Sequence, residues 1–269
     1  MKRLVLAEAM DRTHVETTRE LPHAPELVAF VASFGMEPLV SRSLATLVYE
    51  LEACGFFVVV VRASDDTQPL VWREEYPNKA IVIRRPNVGY DFGTWATGLT
   101  LYPQLLDAPM VLLVNDSLVG PFEPLQGMLD DFRQKDCDVW GATNTTQGKP
   151  HLQSYMLGFK DGVLLDAPMK RFWSNIHILD DKTQIIQQYE IGLSRLLFSE
   201  GYVTASWFES ELIADAGQNP SVMGWRALLD RGFPFVKRQL LTIPNIAYDS
   251  DEVPASVWSK YEQDPYEWF

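Results

Sequence analysis

Four short stretches and one basic pair carry residue types that could do chemistry. In Tyr189-Glu190-Ile191-Gly192-Leu193-Ser194 a glutamate sits among apolar residues that recur at helical spacing. If Ile186, Tyr189, Leu193 and Leu197 form the buried face, Glu190 falls at its border. A half-buried carboxylate has a raised pKa and can take a proton from a hydroxyl as a general base, although a solvated helix glutamate fits the same spacing. His151-Leu152-Gln153-Ser154-Tyr155 alternates polar and apolar residues, which puts His151 and Gln153 on one face of a strand. His151 suits proton transfer or acceptor binding. The other histidines, His14, His23 and His177, stand at no metal-ligand spacing from it.

Asn115-Asp116-Ser117-Leu118-Val119-Gly120-Pro121 follows an apolar run directly. Asp116 at a strand edge is a candidate ligand for Mg²⁺ or Mn²⁺ bridging a diphosphate, because hard cations take oxygen donors. A single aspartate is a sparse donor set, and a capping Asp before a Gly-Pro turn explains the stretch equally well. Asn87-Val88-Gly89-Tyr90-Asp91-Phe92-Gly93 combines glycines, which let backbone approach a ligand, with Asn and Asp side chains for a ribose, base or sugar. It also opens a helix whose amides can face an anion; the alternative is an ordinary capped turn. The glycine spacing and its place in the chain do not match a dinucleotide fingerprint. Lys237 and Arg238 form a late basic pair that could neutralise a departing diphosphate where no metal does so, or simply face solvent.

The elements that would position these groups follow from periodicity. Leu27–Phe34, Phe56–Arg62, Lys79–Arg84 and Met110–Val114 read as buried strands, the second a continuous β-branched run of the kind covered on both faces. Leu44, Leu47, Val48 and Leu51 predict an amphipathic helix ending near Gly55, and a second helix is predicted from about Gly93 to Leu106. Strand–helix alternation with short connections predicts an α/β fold, a Rossmann-like, mostly parallel sheet flanked by helices. Ligands of such sheets bind beyond the carboxyl ends of the strands. Ser33, Ser64-Asp65-Asp66, Asn87–Gly93 and Asn115-Asp116-Ser117 all fall there. A fifth strand is expected near Asp138–Ala142, followed by a polar stretch to Gln153 and an apolar run to Phe159. The second half reads as more helical, with Pro168–His177 and then a helix from Ile185 to Leu197 ending at Gly201. Residues 1–25 read as an irregular leader. The tail, Asp249–Phe269, holds six acidic residues, one lysine and several aromatics, so it is expected to dock on its own domain or on a partner.

Composition narrows the possibilities. The chain has 269 residues, 46% of them hydrophobic, enough for a sizeable core, and the sequence predicts a single domain over 1–269. The net charge of −13 argues against nucleic acid as partner. Cys54 and Cys137 are its only cysteines, too few for a disulfide framework or a zinc site, which suits a reducing, cytoplasmic compartment. No apolar run approaches the roughly 20 residues of a spanning helix, and Glu8, Asp11 and Arg12 interrupt any signal-peptide core. Peripheral association with a membrane assembly complex stays open.

Taken together and in order, five segments resemble the rhamnan synthesis protein F family, glycosyltransferases of bacterial rhamnose-containing polysaccharides. They are Arg85-Pro86-Asn87-Val88-Gly89-Tyr90-Asp91-Phe92-Gly93, Asn115-Asp116-Ser117 with Gly120-Pro121, Trp140-Gly141-Ala142-Thr143, His151–Tyr155, and Tyr189–Ser194 before Gly201-Tyr202. The resemblance runs from about Leu27 to Leu241. It implies a GT-A-like fold, with a nucleotide-sugar-binding half at about 27–160, an acceptor-binding helical half at about 161–245 and the tail at 246–269.

It also implies roles. Asn87, Gly89 and Asp91 would contact the nucleotide, with Ser33, Asp65, Tyr90, Asn115, Ser117, Lys237 and Arg238 as further donor-binding residues. Asp116 would hold a metal or the donor sugar, Gln153, Tyr155 and Trp140 the acceptor, and Glu190 would be the base, with His151 beside it. The implied reaction moves a sugar, most plausibly rhamnose from dTDP-rhamnose, with inversion onto a growing surface glycan or lipid-linked glycan at the inner face of the membrane. Mg²⁺ or Mn²⁺ is an implied cofactor, which the absence of a full Asp-x-Asp puts in question. Two other classes fit less of the sequence: a Rossmann-like methyltransferase, which lacks its glycine-rich loop after the first strand, and a noncatalytic glycan-binding subunit using the aromatic tail.

Overall fold

In the computed structural model, which describes residues 3–269, the apolar runs become neighbours in one sheet. The strands are β1 (His14–Thr17), β2 (Leu27–Phe34), β3 (Phe57–Ala63), β4 (Ile81–Arg85), β5 (Met110–Asn115), β6 (Leu118–Val119), β7 (Val139–Thr145), β8 (His151–Leu152), β9 (Met156–Lys160), β10 (Thr204–Phe208) and β11 (Val236–Lys237). The main sheet has the order β1-β4-β3-β2-β5-β9-β7-β10, with β8 hung on β7. β4, β3, β2 and β5 run parallel to one another, and β1 joins the edge of β4 antiparallel. β9 is antiparallel to both β5 and β7, and β10 joins the far edge parallel to β7. The predicted mixed, mostly parallel α/β architecture is therefore what the chain adopts.

Helices cover both faces: α1 (Val5–Ala9), α2 (Arg42–Ala53), α3 (Tyr90–Leu101), α4 (Gln126–Gln134), α5 (Ala167–Ser174), α6 (Lys182–Ile185), α7 (Ile191–Glu200), α8 (Pro220–Met223), α9 (Trp225–Asp230), α10 (Arg238–Thr242) and α11 (Val253–Tyr261). The period of two in the strands sorts the core into two layers. Val28, Phe30, Val59 and Val61 face the layer under α3, α5 and α7. Ala29, Val31, Val58 and Val60 face the layer under α2 and α4.

The expectations differ from the structure in four places. Residues 3–25 are not an irregular leader: β1 pairs with the edge of β4, and Val5 and Ala9 of α1 are fully buried. These elements are too short to show a period, and Met1 and Lys2 lie outside the described residues. The helix expected at Gly93–Leu106 begins at Tyr90 and ends at Leu101, before Pro103, which disfavours helix in the residue preceding it. The helix expected from Ile185 to Leu197 is not one regular cylinder, since a π-helical turn at Ile186–Glu190 joins α6 to α7. Finally, β10 had no counterpart in the sequence reading.

The tail docks on its own domain. Trp268 is 2% exposed, its ring packs edge-on against Phe122 at 5.1 Å, and its carbonyl accepts a hydrogen bond from Ser43 Oγ at 2.9 Å.

Candidate active site

At the carboxyl end of β5 the molecule holds a cavity of about 660 Å³, a size suited to a small ligand. One wall is the start of α3. Gly89 takes φ +79°, and a Cβ there would stand 2.4 Å from Val5 Cγ2, so both backbone shape and the approach of α1 require glycine. Arg85 ties this turn to the helix, donating to Val88 O at 2.7 Å and Thr94 Oγ1 at 2.9 Å. Burial lowers its pKa to about 10. The turn brings Asp91 into the cavity wall, where Asn115 Nδ2 donates to Asp91 Oδ2 at 2.8 Å. Asn115 Oδ1 in turn accepts from Ser117 Oγ at 2.6 Å and from Ser117 N at 3.1 Å. Burial, and secondarily the Asp116 and Glu190 charges, push the Asp91 carboxyl up to about 7; Asn115 and Lys182 pull it the other way.

A second wall comes from β8 and the chain after it. His151 is buried, and its Nδ1 lies 2.7 Å from Lys149 O. A carbonyl only accepts, so Nδ1 carries a proton and Nε2 is the nitrogen left for chemistry. Glu190 Oε1 accepts from Ser154 N at 2.9 Å and stands 3.7 Å from His151 Nε2. Behind them Thr143 Oγ1 donates to Gln153 Oε1 at 2.7 Å and therefore accepts from the Tyr155 hydroxyl, also at 2.7 Å. Burial raises the Tyr155 pKa, so the phenol stays neutral. Gln153 Nε2 completes the net on Asn219 Oδ1 at 3.0 Å.

The third wall is basic and arrives from far along the chain. β11 pairs antiparallel with β6, placing Lys237 opposite Leu118. The Lys237 ammonium lies 5.3 Å from the centroid of the Tyr155 ring. Burial lowers its pKa, against the raising charge of Glu190; Lys182 adds to the lowering and Asp91 opposes it. Arg238 is anchored by its own amide on Ser117 O at 2.9 Å and by Nη2 on Asp116 O at 3.2 Å.

The structure thus brings Tyr90, Asp91, Asn115, Ser117, Lys237 and Arg238 into one cavity with His151, Gln153, Tyr155 and Glu190. The remaining candidates stand outside it. Trp140, expected to hold an acceptor, is fully buried in the core with Nε1 bonded to Asp131 Oδ2 at 2.9 Å. Asp65 and Asn87 are exposed elsewhere on the rim, and Gly89 serves the turn itself. Ser33 is buried and donates to Asp116 Oδ2 at 2.8 Å, so it supports Asp116 and not a ligand.

The same oxygen of Asp116 accepts from Phe34 N at 2.9 Å, and Arg62 Nη1 donates to Ser33 Oγ at 2.6 Å. Asp116 faces a small separate pocket beside Leu44 and Phe235. Among the described residues no three Asp, Glu, His or Cys side chains are grouped as metal ligands.

Several residues of the site escaped sequence reading. Thr143 and Asn219 organise Gln153 and Tyr155, and Lys182 lines the cavity. Asn219 had a readable signal, an Asn before Pro220, the pairing of a helix N-cap with a proline at the first turn. Arg62 was visible as a charge closing a β-branched run, a position that needs a polar partner when the strand is buried. A second cavity of about 510 Å³ lies at the opposite, amino ends of β2 and β3, where Arg19 pairs with Glu52; no candidate residue is there.

The sequence model of rhamnan synthesis protein F matches residues 72–256, more than half of the chain, and the protein belongs to that family. Among curated relatives, virulence protein VirA of Vibrio anguillarum is 31% identical over 194 residues, covering 60% of this chain and 62% of that protein. The uncharacterized protein y4gN of Sinorhizobium fredii is 28% identical over 189 residues, 68% of this chain and 46% of that protein. The chain thus spans less than two thirds of these relatives. Two solved structures share a general likeness of shape. One is a glycosyltransferase involved in glycosylation of the major capsid of PBCV-1 (TM-score 0.41, 10% identity, 84% of this chain, 98% of that chain). The other is the galactosyltransferase LgtC with donor and acceptor sugar analogs (TM-score 0.36, 13% identity, 62% of this chain, 70% of that chain).

Proposed function

We propose that the protein is a glycosyltransferase of polysaccharide synthesis, transferring a hexose, rhamnose from dTDP-rhamnose in the first instance, onto a growing glycan with inversion. The observation that supports this most directly is the meeting, in one cavity, of the Glu190 carboxylate with the basic pair Lys237 and Arg238. Such a site can deprotonate a nucleophile and receive an anionic leaving group.

In the proposed step Glu190 takes the proton of an acceptor hydroxyl. The freed oxygen forms a bond to the anomeric carbon while the bond from that carbon to the diphosphate breaks. The electron pair leaves with the diphosphate, toward Lys237 and Arg238. The Ser154 amide fixes the Glu190 carboxylate, and Nε2 of His151, 3.7 Å from it, adds a second proton acceptor beside the base. Tyr155 and Gln153, locked by Thr143, present fixed polar atoms to the acceptor. No helix among the described residues is long and apolar enough to cross a membrane. The reading puts the enzyme in the cytoplasm, working on a glycan or lipid-linked glycan at the inner face of the membrane.

The test is a transfer and hydrolysis screen over nucleotide-sugars, with S-adenosylmethionine and free glycan as binding controls. Turnover of one nucleotide-sugar supports the reading. Binding of S-adenosylmethionine, or of glycan without any nucleotide-sugar, would replace it with a methyltransferase or a noncatalytic subunit.

A further inference from the structure

We infer that the diphosphate of the donor is neutralised by Lys237 and Arg238 in place of a divalent cation, an inference that rests on the transferase reading above. The argument begins with the carboxylate where a cation would be sought. Oδ2 of Asp116 already accepts two hydrogen bonds, from Ser33 Oγ and the Phe34 amide, which leaves Oδ1 alone as an open donor atom, and Asp116 lines a small pocket beside the main cavity and not the cavity itself. Its charge is answered within the fold by Arg62, whose fork also holds Ser33 Oγ and the carbonyls of Phe34 and Glu37. The flanking Asn115 has both ends of its amide in use, on Asp91 and on Ser117. Asp91 itself is desolvated, a setting that disfavours the charged form a hard cation would require.

The cationic side of the cavity shows the reverse. Lys237 is half-buried in the cavity wall, its ammonium lies over the Tyr155 ring, and among the described residues nothing accepts a hydrogen bond from its Nζ. An ammonium that lines a cavity without a protein acceptor is free to take an anionic ligand as its partner. Arg238 is fixed beside it through Ser117 O and Asp116 O, and its guanidinium stacks 4.8 Å from the Phe269 ring. Lys182 adds a third basic side chain to the lining. A preorganised ammonium and guanidinium supply the counter-charge that a departing diphosphate needs, with no reorganisation at the moment of bond breaking.

The experiment is calorimetric titration of dTDP, UDP and GDP into the full chain, once with EDTA and once with Mn²⁺, repeated on Lys237→Met and Lys237→Arg. The expected result is that at least one nucleotide binds with the same affinity, within threefold, in EDTA and in Mn²⁺. Lys237→Met should weaken it at least tenfold in both, and Lys237→Arg should restore most of the loss. Circular dichroism of the two variants checks that they fold, and the Arg variant keeps the charge test available if Met does not. Binding that improves tenfold or more with Mn²⁺ overturns the inference and leaves the transferase standing, as does a loss under threefold in Lys237→Met. Failure of all three nucleotides to bind under either condition overturns the transferase reading and this inference together.

Discussion

Replacing Asp91 by asparagine should stabilise the protein, and by an amount that depends on pH. The carboxyl has an ordinary value of 3.8 in a solvated chain and about 7 in the fold, chiefly because burial penalises its charge. The gap is roughly 3.2 pH units, and at about 1.36 kcal/mol per unit the ionised folded state is disfavoured by ~4 kcal/mol. The sign follows from proton counting. Between about pH 4 and 7 the folded chain holds a proton that the unfolded chain has released, so stability falls as pH rises through that window. Below it the two states are equally protonated and the penalty vanishes; above it the full penalty applies. Asparagine is nearly isosteric with the protonated acid, and its carbonyl can still accept from Asn115 Nδ2. Urea denaturation of wild type and Asp91→Asn should therefore show curves that coincide near pH 4 and separate by ~4 kcal/mol at pH 8, the variant being the more stable. A difference that does not change between pH 4 and 8 would refute the assignment, as would a variant less stable than wild type at pH 8.

Three further outcomes are expected. Glu190→Gln keeps an acceptor for the Ser154 amide, so dTDP affinity should persist while transfer falls about 10²–10⁴-fold; loss of nucleotide binding in calorimetry would make Glu190 a binding residue instead. Thr143→Val removes the hydroxyl that joins Gln153 to Tyr155 and leaves Gln153 Oε1 and the Tyr155 hydroxyl unpaired, at a cost of about 1–3 kcal/mol in denaturant unfolding, with a raised acceptor KM. Trp268→Ala should cost about 3–5 kcal/mol, because a nearly sealed aromatic is lost from against Phe122 and Arg42. Trp268→Phe should cost much less, since the indole Nε1 is buried without a partner, and equal Tm losses for the two variants would count against this packing.

The strands were legible because covered strands must be continuously apolar, and Phe57–Ala63 is such a run. Their direction was not: the pattern of Met156–Lys160 is the same whether the strand lies parallel or antiparallel, so the reversal of β9 was invisible. Asp91, Glu190 and Lys237 were each readable as candidates, because polar groups at strand and helix ends are where such folds gather ligands. Their environments were not readable. Burial raises the Asp91 carboxyl, which no periodicity marks, and the π turn sets which residues near Glu190 face inward. Asp116 looked like a free ligand because nothing in the sequence shows that Ser33 and the Phe34 amide, more than eighty positions earlier, would occupy its oxygen.

The short ribbon of β6 and β11 joins Leu118 to Lys237 across a large part of the chain. Closing so distant a loop is slow relative to local pairing, and little of the parallel sheet depends on it. A partly assembled molecule can therefore own its acidic strand ends while Lys237 is still adrift. Under the proposed function, donor binding would then report on closure of this ribbon, because Lys237 reaches the cavity wall only through it.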